Sequence, residues 1–361
     1  MLHRRFFITC LIGIFTSVSV NIHAQSEVIK TSALKSNNYG VTYVLPKTML
    51  IIDAEFSKTT LKAGPYAKYA KKYLGITDNV ILEDQVIYDL DKVEVGSKGI
   101  PDKNEAYLIE FKAKTSAPFV YLTKDGMICT INAEYTPEET DIKKEIQKKQ
   151  ATNPVLAAQS SYTEEYLRAG SVSKMAEVAA KQIYKLRESR MDILTGDAEN
   201  APKDGEAMKI VLQQLETQEK ALVELFTGSK TIEKHFASFE TEPTGNMEKE
   251  IIFRFSKYLG VVDSEDLGGS PVYMNLKKLE SIEEPPVDPK AKKEPKGIVY
   301  NIPGKASIEV FYSTRQIFKG NMEIVQFGTK QLLATSMFDD KKGPVKVYFY
   351  PATGAIKQII Q

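Results

Sequence analysis

The stretch Leu50-Ile51-Ile52-Asp53-Ala54-Glu55-Phe56 alternates along the chain, with Leu50, Ile52, Ala54 and Phe56 on one face and Asp53 and Glu55 on the other. Successive strand side chains point to opposite faces, so this pattern predicts a half-buried β-strand. The same period of two runs through residues 40–134, with further strands expected at 85–90, 92–96, 106–113, 119–123 and 127–131. Asp125-Gly126, before the last of these, is a hairpin signal because the pair tolerates the positive φ of a tight turn. One short helix interrupts the strands at 65–75. Pro65 suits a first helical turn, and Gly75 suits the left-handed residue that ends one.

In the middle of the chain the period lengthens. Met175, Ala179, Ile183 and Leu186 recur at three- and four-residue steps and mark a helix ending before Gly196. Met208, Val211, Leu215, Leu222, Leu225 and Phe226 mark a second, with Asp204 as its N-cap and Gly228 at its end. The polar turn between them, 197–204, predicts an antiparallel pair. Upstream, 135–170 reads as a charged connector with a marginal helix. Strands return at 251–255, 271–277, 297–302, 305–313, 322–327 and 345–350, and Thr353-Gly354 turns the chain into 355–360. The insert 283–296 carries four prolines and is expected to be a long exposed loop.

These patterns give an α+β fold in which two β-rich domains, 40–134 and 229–361, flank the helical hairpin of 171–228. The two β-rich regions echo one another. Gly40-Val41-Thr42-Tyr43-Val44-Leu45-Pro46 resembles Gly297-Ile298-Val299-Tyr300-Asn301-Ile302-Pro303, and Lys72-Tyr73-Leu74-Gly75-Ile76-Thr77-Asp78 resembles Lys257-Tyr258-Leu259-Gly260-Val261-Val262-Asp263. The matching pieces do not keep one order, and a single composite α+β body is the rival arrangement.

Residues 1–24 read as a secretory leader: Arg4 and Arg5 precede the apolar run of 6–15, and a more polar stretch ends at Ala24. The run is too short to span a bilayer, so no transmembrane segment is expected after cleavage. Residues 25–39 are polar and expected to be loose. The leader carries Cys10, His3 and His23, and its removal leaves 46 basic against 47 acidic residues, one thiol (Cys129), one imidazole (His235) and no Trp. A net charge of −1 argues against nucleic acid as a partner. A lone thiol cannot form an internal disulfide, and one Cys with one His cannot furnish an ordinary zinc site. No cofactor is expected, since neither G-x-G-x-x-G nor a phosphate loop is present.

Candidate chemistry is correspondingly sparse. Ser171-Val172-Ser173-Lys174 and Ser32-Ala33-Leu34-Lys35 match the S-x-x-K of penicillin-recognising enzymes, but no S-D-N or K-T-G element follows. Asp53 and Glu55, neighbours on one strand face, are the best carboxylate pair for hydrolytic acid and base work. Asp263, Glu265 and Asp266 lie in an acidic, glycine-ended loop that offers oxygen ligands for calcium without EF-hand spacing. Tyr66, Tyr69 and Tyr73 form a stripe along the 65–75 helix, read either as core with wet hydroxyls or as a contact surface. Cys129, in the alternating Met127-Ile128-Cys129-Thr130-Ile131, reads as a core residue.

Gly64-Pro65-Tyr66-Ala67-Lys68-Tyr69-Ala70-Lys71-Lys72-Tyr73-Leu74-Gly75, Ile193-Leu194-Thr195-Gly196 and Leu225-Phe226-Thr227-Gly228 occur in this order. The set resembles an uncharacterised domain-of-unknown-function family of exported cell-envelope proteins from Gram-negative anaerobes. The resemblance implies a periplasmic or outer-membrane-associated location and supplies no catalytic residue. The leading expectation is an exported, non-catalytic envelope protein that binds a protein partner or serves assembly. A glycan- or peptide-binding module with a Tyr-lined groove and a carboxylate-based hydrolase are the alternatives.

Overall fold

A computed structural model describes residues 40–110, 119–136, 153–199, 204–279, 297–334, 337 and 345–361. The leader, the segment 25–39 and the proline-rich insert lie outside the described residues. Gly40–Gln361 forms one compact unit. The alternating stretch around Leu50 belongs to a 23-residue strand, β1 (Gly40–Lys62), on which Leu50, Ile52 and Ala54 are fully buried. A turn of 3-10 helix (Ala67–Tyr69) leads to α1 (Ala70–Leu74), which ends at Gly75 with φ +69°. The next three expected strands are one, β2 (Gln85–Glu110), followed by the hairpin β3 (Val120–Leu122) and β4 (Ile128–Ile131) around Asp125-Gly126.

Residues 137–152 of the expected connector lie outside the described residues, and 153–170 depart from it. Within it, α2 (Pro154–Ala158) is capped by Asn153 and α3 (Glu164–Leu167) by Thr163, and Ala158 and Tyr166 are core residues of the helical cluster. The small side chains that read as a polar linker are what lets α2 approach the long helices closely. These are α4 (Val172–Thr195), capped by Ser171 and ended by Gly196, and α5 (Gly205–Thr227), capped by Asp204. Each cap side chain accepts a hydrogen bond from a first-turn N–H that has no partner within the helix.

The remaining strands are β5 (Ser229–Thr241), β6 (Met247–Ser256), β7 (Gly260–Val262), β8 (Ser270–Lys278), β9 (Gly297–Tyr312), β10 (Arg315–Ala334), β11 (Lys346–Phe349) and β12 (Ile356–Ile360). All named pairs are antiparallel, in three sheets ordered β2-β1-β5, β10-β9-β8-β6-β7 and β12-β11-β4-β3. Two of these sheets draw strands from both sides of the helical pair: β1 bonds β5, and β4 bonds β11. The expected pair of separate β-rich domains is therefore corrected to one body, because each region completes its sheets with strands of the other.

The long ribbons β1–β2 and β9–β10 each serve two cores. Leu50 to Phe56, Val93 and Val95 pack with Ile308, Val310 and Ile324 in the first, while Tyr43, Leu45 and Ile109 pack with Ile298 and Leu333 in the second. Between cores, both ribbons break register in the same way. Leu45 of β1 faces the four residues 102–105 of β2, and Pro303 of β9 faces the four residues 325–328 of β10. The first sequence echo coincides with these breaks. The Val44 N–H donates to the Gly126 carbonyl at 2.9 Å, and the Asn301 N–H donates to the Gly354 carbonyl at 3.1 Å. The second echo has no common structure, since Gly75 ends a helix and Gly260 turns β6 into β7.

At the β10 break the two backbones cross so closely that a Cβ on Gly328 would overlap the Ile302 carbonyl oxygen. Gly328→Ala should therefore destabilise by at least about 3 kcal/mol, the upper range of single substitutions. Gly96→Ala, with open space around the site and no positive φ, should instead stabilise by about 0.5 kcal/mol through the unfolded chain. Urea denaturation of the two variants checks the contrast.

Candidate functional site

The paired register breaks open a cleft of about 480 Å³ between the ribbons. β1 supplies Leu45, Pro46 and Lys47; the β2 bulge supplies Asp102 and Glu105; β9 supplies Asn301; and the β10 bulge and its flank supply Val325, Gln326, Gly328, Thr329 and Lys330. Bulges re-aim side chains and end regular pairing, which is why they recur beside binding and active sites. The volume falls within the usual range for small-ligand sites.

Side chains pair main-chain groups along β1 and β9 where β5 and β8 no longer cover them. The Gln326 amide pairs with the backbone of buried Thr48, accepting its N–H at 3.0 Å and donating to its carbonyl at 2.8 Å. The Val325 N–H donates to the Thr48 hydroxyl at 2.9 Å. The Tyr43 hydroxyl does the same for Val299, donating to its carbonyl and accepting from its N–H. Asn301, 3% exposed, donates through Nδ2 to the carbonyls of Pro46 and Thr353. Thr329 carries a buried hydroxyl with no hydrogen-bond partner among the described residues.

Both lysines of the cleft are already paired. Lys47 reaches both carboxylate oxygens of Glu242 at 2.7 Å, and Lys330 pairs with Glu105 at 2.5 Å. Burial would raise the Glu105 pKa, but hydrogen bonds from Lys330 and Tyr107 outweigh it and hold the carboxyl below its ordinary value. Tyr107 is driven the other way, by burial first and then by the neighbouring Glu105 charge. Asp102 accepts the Asn104 N–H at 3.0 Å.

Leu45, Pro46 and Asn301 of the sequence echo line this cleft, but none of the residues singled out as candidate chemistry does. Asp53 and Glu55 occupy an open face of the three-stranded sheet, where Glu55 pairs with Lys234 at 3.2 Å. Lys234 also binds Asp91 at 2.8 Å, so the face carries a charge ladder rather than a paired acid and base. Asp263 accepts the Glu265 N–H, and Asp266 accepts the Gly268 N–H, each carboxylate stabilising its own turn. Among the described residues, no group of three or more His, Cys, Asp or Glu is gathered as metal ligands would be. Ser171 of the S-x-x-K match is the N-cap of α4.

The tyrosine stripe faces inward rather than lining a groove. Tyr66 is 3% exposed and shares a hydroxyl–hydroxyl hydrogen bond with Tyr166, on which Tyr162 stacks at 4.3 Å. Burial, and then the bond to Tyr166, pushes the Tyr162 hydroxyl up to about 12. Tyr73 hydrogen-bonds Ser173, and Tyr184 donates to the Tyr73 carbonyl. Together these bonds dock the 65–75 segment on α4. His235 stacks on Phe56 with ring centres 5.5 Å apart.

The helical pair has an inner and an outer half. Inner residues Ala179, Ile183, Leu222 and Phe226 are buried, and Arg187 and Arg190 clamp Glu219 at 2.7 and 2.9 Å. Beyond that clamp Met191, Leu194 and Ile210 are exposed. No helix among the described residues is long and apolar enough to cross a membrane.

The chain belongs to a family described as a domain of unknown function (DUF4831), whose model matches residues 39–357. No curated protein and no solved structure matches it.

Two measurements follow from this geometry. Cys129 is fully buried on β4 and its thiol is pushed up to about 11 by burial, so in a Cys10→Ser chain it should resist iodoacetamide at pH 8 until denaturant is added. The lowered Glu105 carboxyl contributes stability that is fully present above the ordinary glutamate value of 4.5 and is lost as the pH falls below it through the folded-state value. Glu105→Gln should remove that acid-limb loss. The change should stay under about 1 kcal/mol because Lys330 is nearly half exposed; denaturation midpoints from pH 3 to 7 check it.

Proposed function

We propose that the protein is an exported, non-catalytic binding protein of the cell envelope, and that the cleft between the two ribbon bulges is its recognition site. One observation carries the reading. Two separate ribbons make the same four-against-one break, and both breaks open onto one polar space. A single bulge can serve bending alone; two that converge, with their amides re-satisfied by side chains, support a preserved cavity. The leader-like residues 1–24 support export. The shared Tyr-x-x-Pro pattern, with its matching bonds to Gly126 and Gly354, supports reading the two β regions as related halves of one body.

A second reading, a protein-assembly component, is favoured by the outer half of the helical pair with its exposed Met191, Leu194 and Ile210. The hydrolase alternative loses support because Glu55 is committed to Lys234.

Both readings are separated by one experiment. The protein, purified as its cell processes it, is immobilised and challenged with solubilised envelope. Retention of envelope material should fall about tenfold in Asp102→Arg, which sets a long cation in the cleft, and should be unchanged in Ile210→Lys. The reverse result selects the helical pair and rejects the cleft.

A further inference from the structure

Resting on the reading of the cleft as the recognition site, we propose that its ligand is a neutral saccharide of mono- or disaccharide size. Lys47 is already neutralised by Glu242 and Lys330 by Glu105, leaving Asp102, among the described residues, as the cleft's one carboxylate outside an ion pair. An anionic ligand, or the anionic end of a zwitterionic peptide, finds no unpaired cation among the described residues of the cleft. Bringing it in would leave a desolvated charge unpaired, which is strongly unfavourable.

Hydroxyl groups meet no such barrier. Each both donates and accepts, and the paired ions keep unused hydrogen-bond capacity. An ammonium has three donors, and a carboxylate has about four acceptor positions. Lys47 and Lys330 thus retain N–H groups for sugar oxygens, and Asp102 and Glu105 retain lone pairs for sugar O–H groups. Bonds to charged partners are the stronger kind, and alternating donors and acceptors match vicinal hydroxyls. Leu45, Pro46 and Val325 give the cleft an apolar component for the C–H face of a sugar ring. Thr329, whose hydroxyl has no partner among the described residues, also lines the cleft.

Position is set by the backbone. Lys47 and Asn301 lie one residue beyond Pro46 and two before Pro303, on strands whose register is held by the Thr48–Gln326 and Asn301–Pro46 bonds. Little rotamer freedom remains to be lost on binding, and preorganisation of this kind favours affinity.

Calorimetric titration tests the proposal with maltose, cellobiose and N,N′-diacetylchitobiose as neutral probes. Glucuronate, glucosamine and glycylglycine serve as charged and zwitterionic ones, all at about 10 mM, enough for a millimolar site. At least one neutral disaccharide should bind, with affinity reduced about tenfold in Asp102→Ala and unchanged in Lys103→Ala, an exposed neighbour on the same bulge. Melting curves show whether each variant is folded. Preferred binding of a charged or zwitterionic probe, saccharide binding indifferent to Asp102→Ala, or no neutral probe bound would each overturn the ligand class. Envelope retention that still depends on Asp102 would then leave the cleft reading standing, whereas retention that never depended on it removes both.

Discussion

A strand that serves two cores must bend between them, and an antiparallel ribbon bends without losing its ladder only by inserting residues on one side. β1 and β9 both meet this constraint, and both meet it beside a proline, Pro46 and Pro303. Proline lacks the N–H that a regular ladder would need, so its place is where the ladder is already interrupted. Glycine is required where β9 and β10 cross: Gly304 and Gly328, one on each strand, approach backbone oxygens too closely for any Cβ. The rest of the architecture follows from these bends. They send one end of each ribbon to the core around Ile308 and the other to the core around Val347.

An interrupted ladder leaves polar groups that must be paired if they are buried. Inside the breaks the Val325 N–H donates to the Thr48 hydroxyl and the Asn104 N–H to Asp102. Where β5 and β8 end, other side chains act as substitute backbone: Gln326 for Thr48, Tyr43 for Val299, Asn301 for Pro46 and Thr353. The asymmetry between the halves is informative. Val44 and Asn301 occupy matching places in the echo and make the same main-chain bond to a hairpin glycine, yet only Asn301 has a side-chain amide to grip the other ribbon. That difference adds to the Thr48–Gln326 and Tyr43–Val299 bonds that already join the two ribbons.

Local structure was written plainly in the chain, because short-range signals determine it. Ser171, Asp204, Gly75 and Gly196 cap where their side chains or conformational freedom demand, and the Leu50 stripe is buried as its period requires. Long-range partners were not. Nothing in the alternation of β1 distinguishes pairing with β5, some 180 residues downstream, from pairing within its own region. The strand β2 was legible only in pieces, since the bulge 102–105 reads as a loop between strands. Residues 153–167 were misread because small and polar side chains signal a linker in isolation, while Ala158 and Tyr166 are buried by helices distant in sequence. The cleft could not be found by motif, since four separate strands assemble it and no two of its polar groups share a recognisable spacing.

The helical layer and the cleft place different demands on the same strands. The excursion from β1 to β2 carries α1, and Gly64 lies so close to the Leu225 carbonyl that the backbone of this excursion is pressed against α5. The Tyr66 N–H donates to that same carbonyl at 2.8 Å. Helix α5 in turn runs directly into β5, which bonds β1 along Leu50–Lys62. One end of β1 is thereby held by helices and the other by the Val44–Gly126 bond, leaving the bend at Pro46 little room to shift. A cleft walled by a bend clamped at both ends keeps its shape without a ligand. Such rigidity favours selection by fit and by matched hydrogen bonds over closure around a guest.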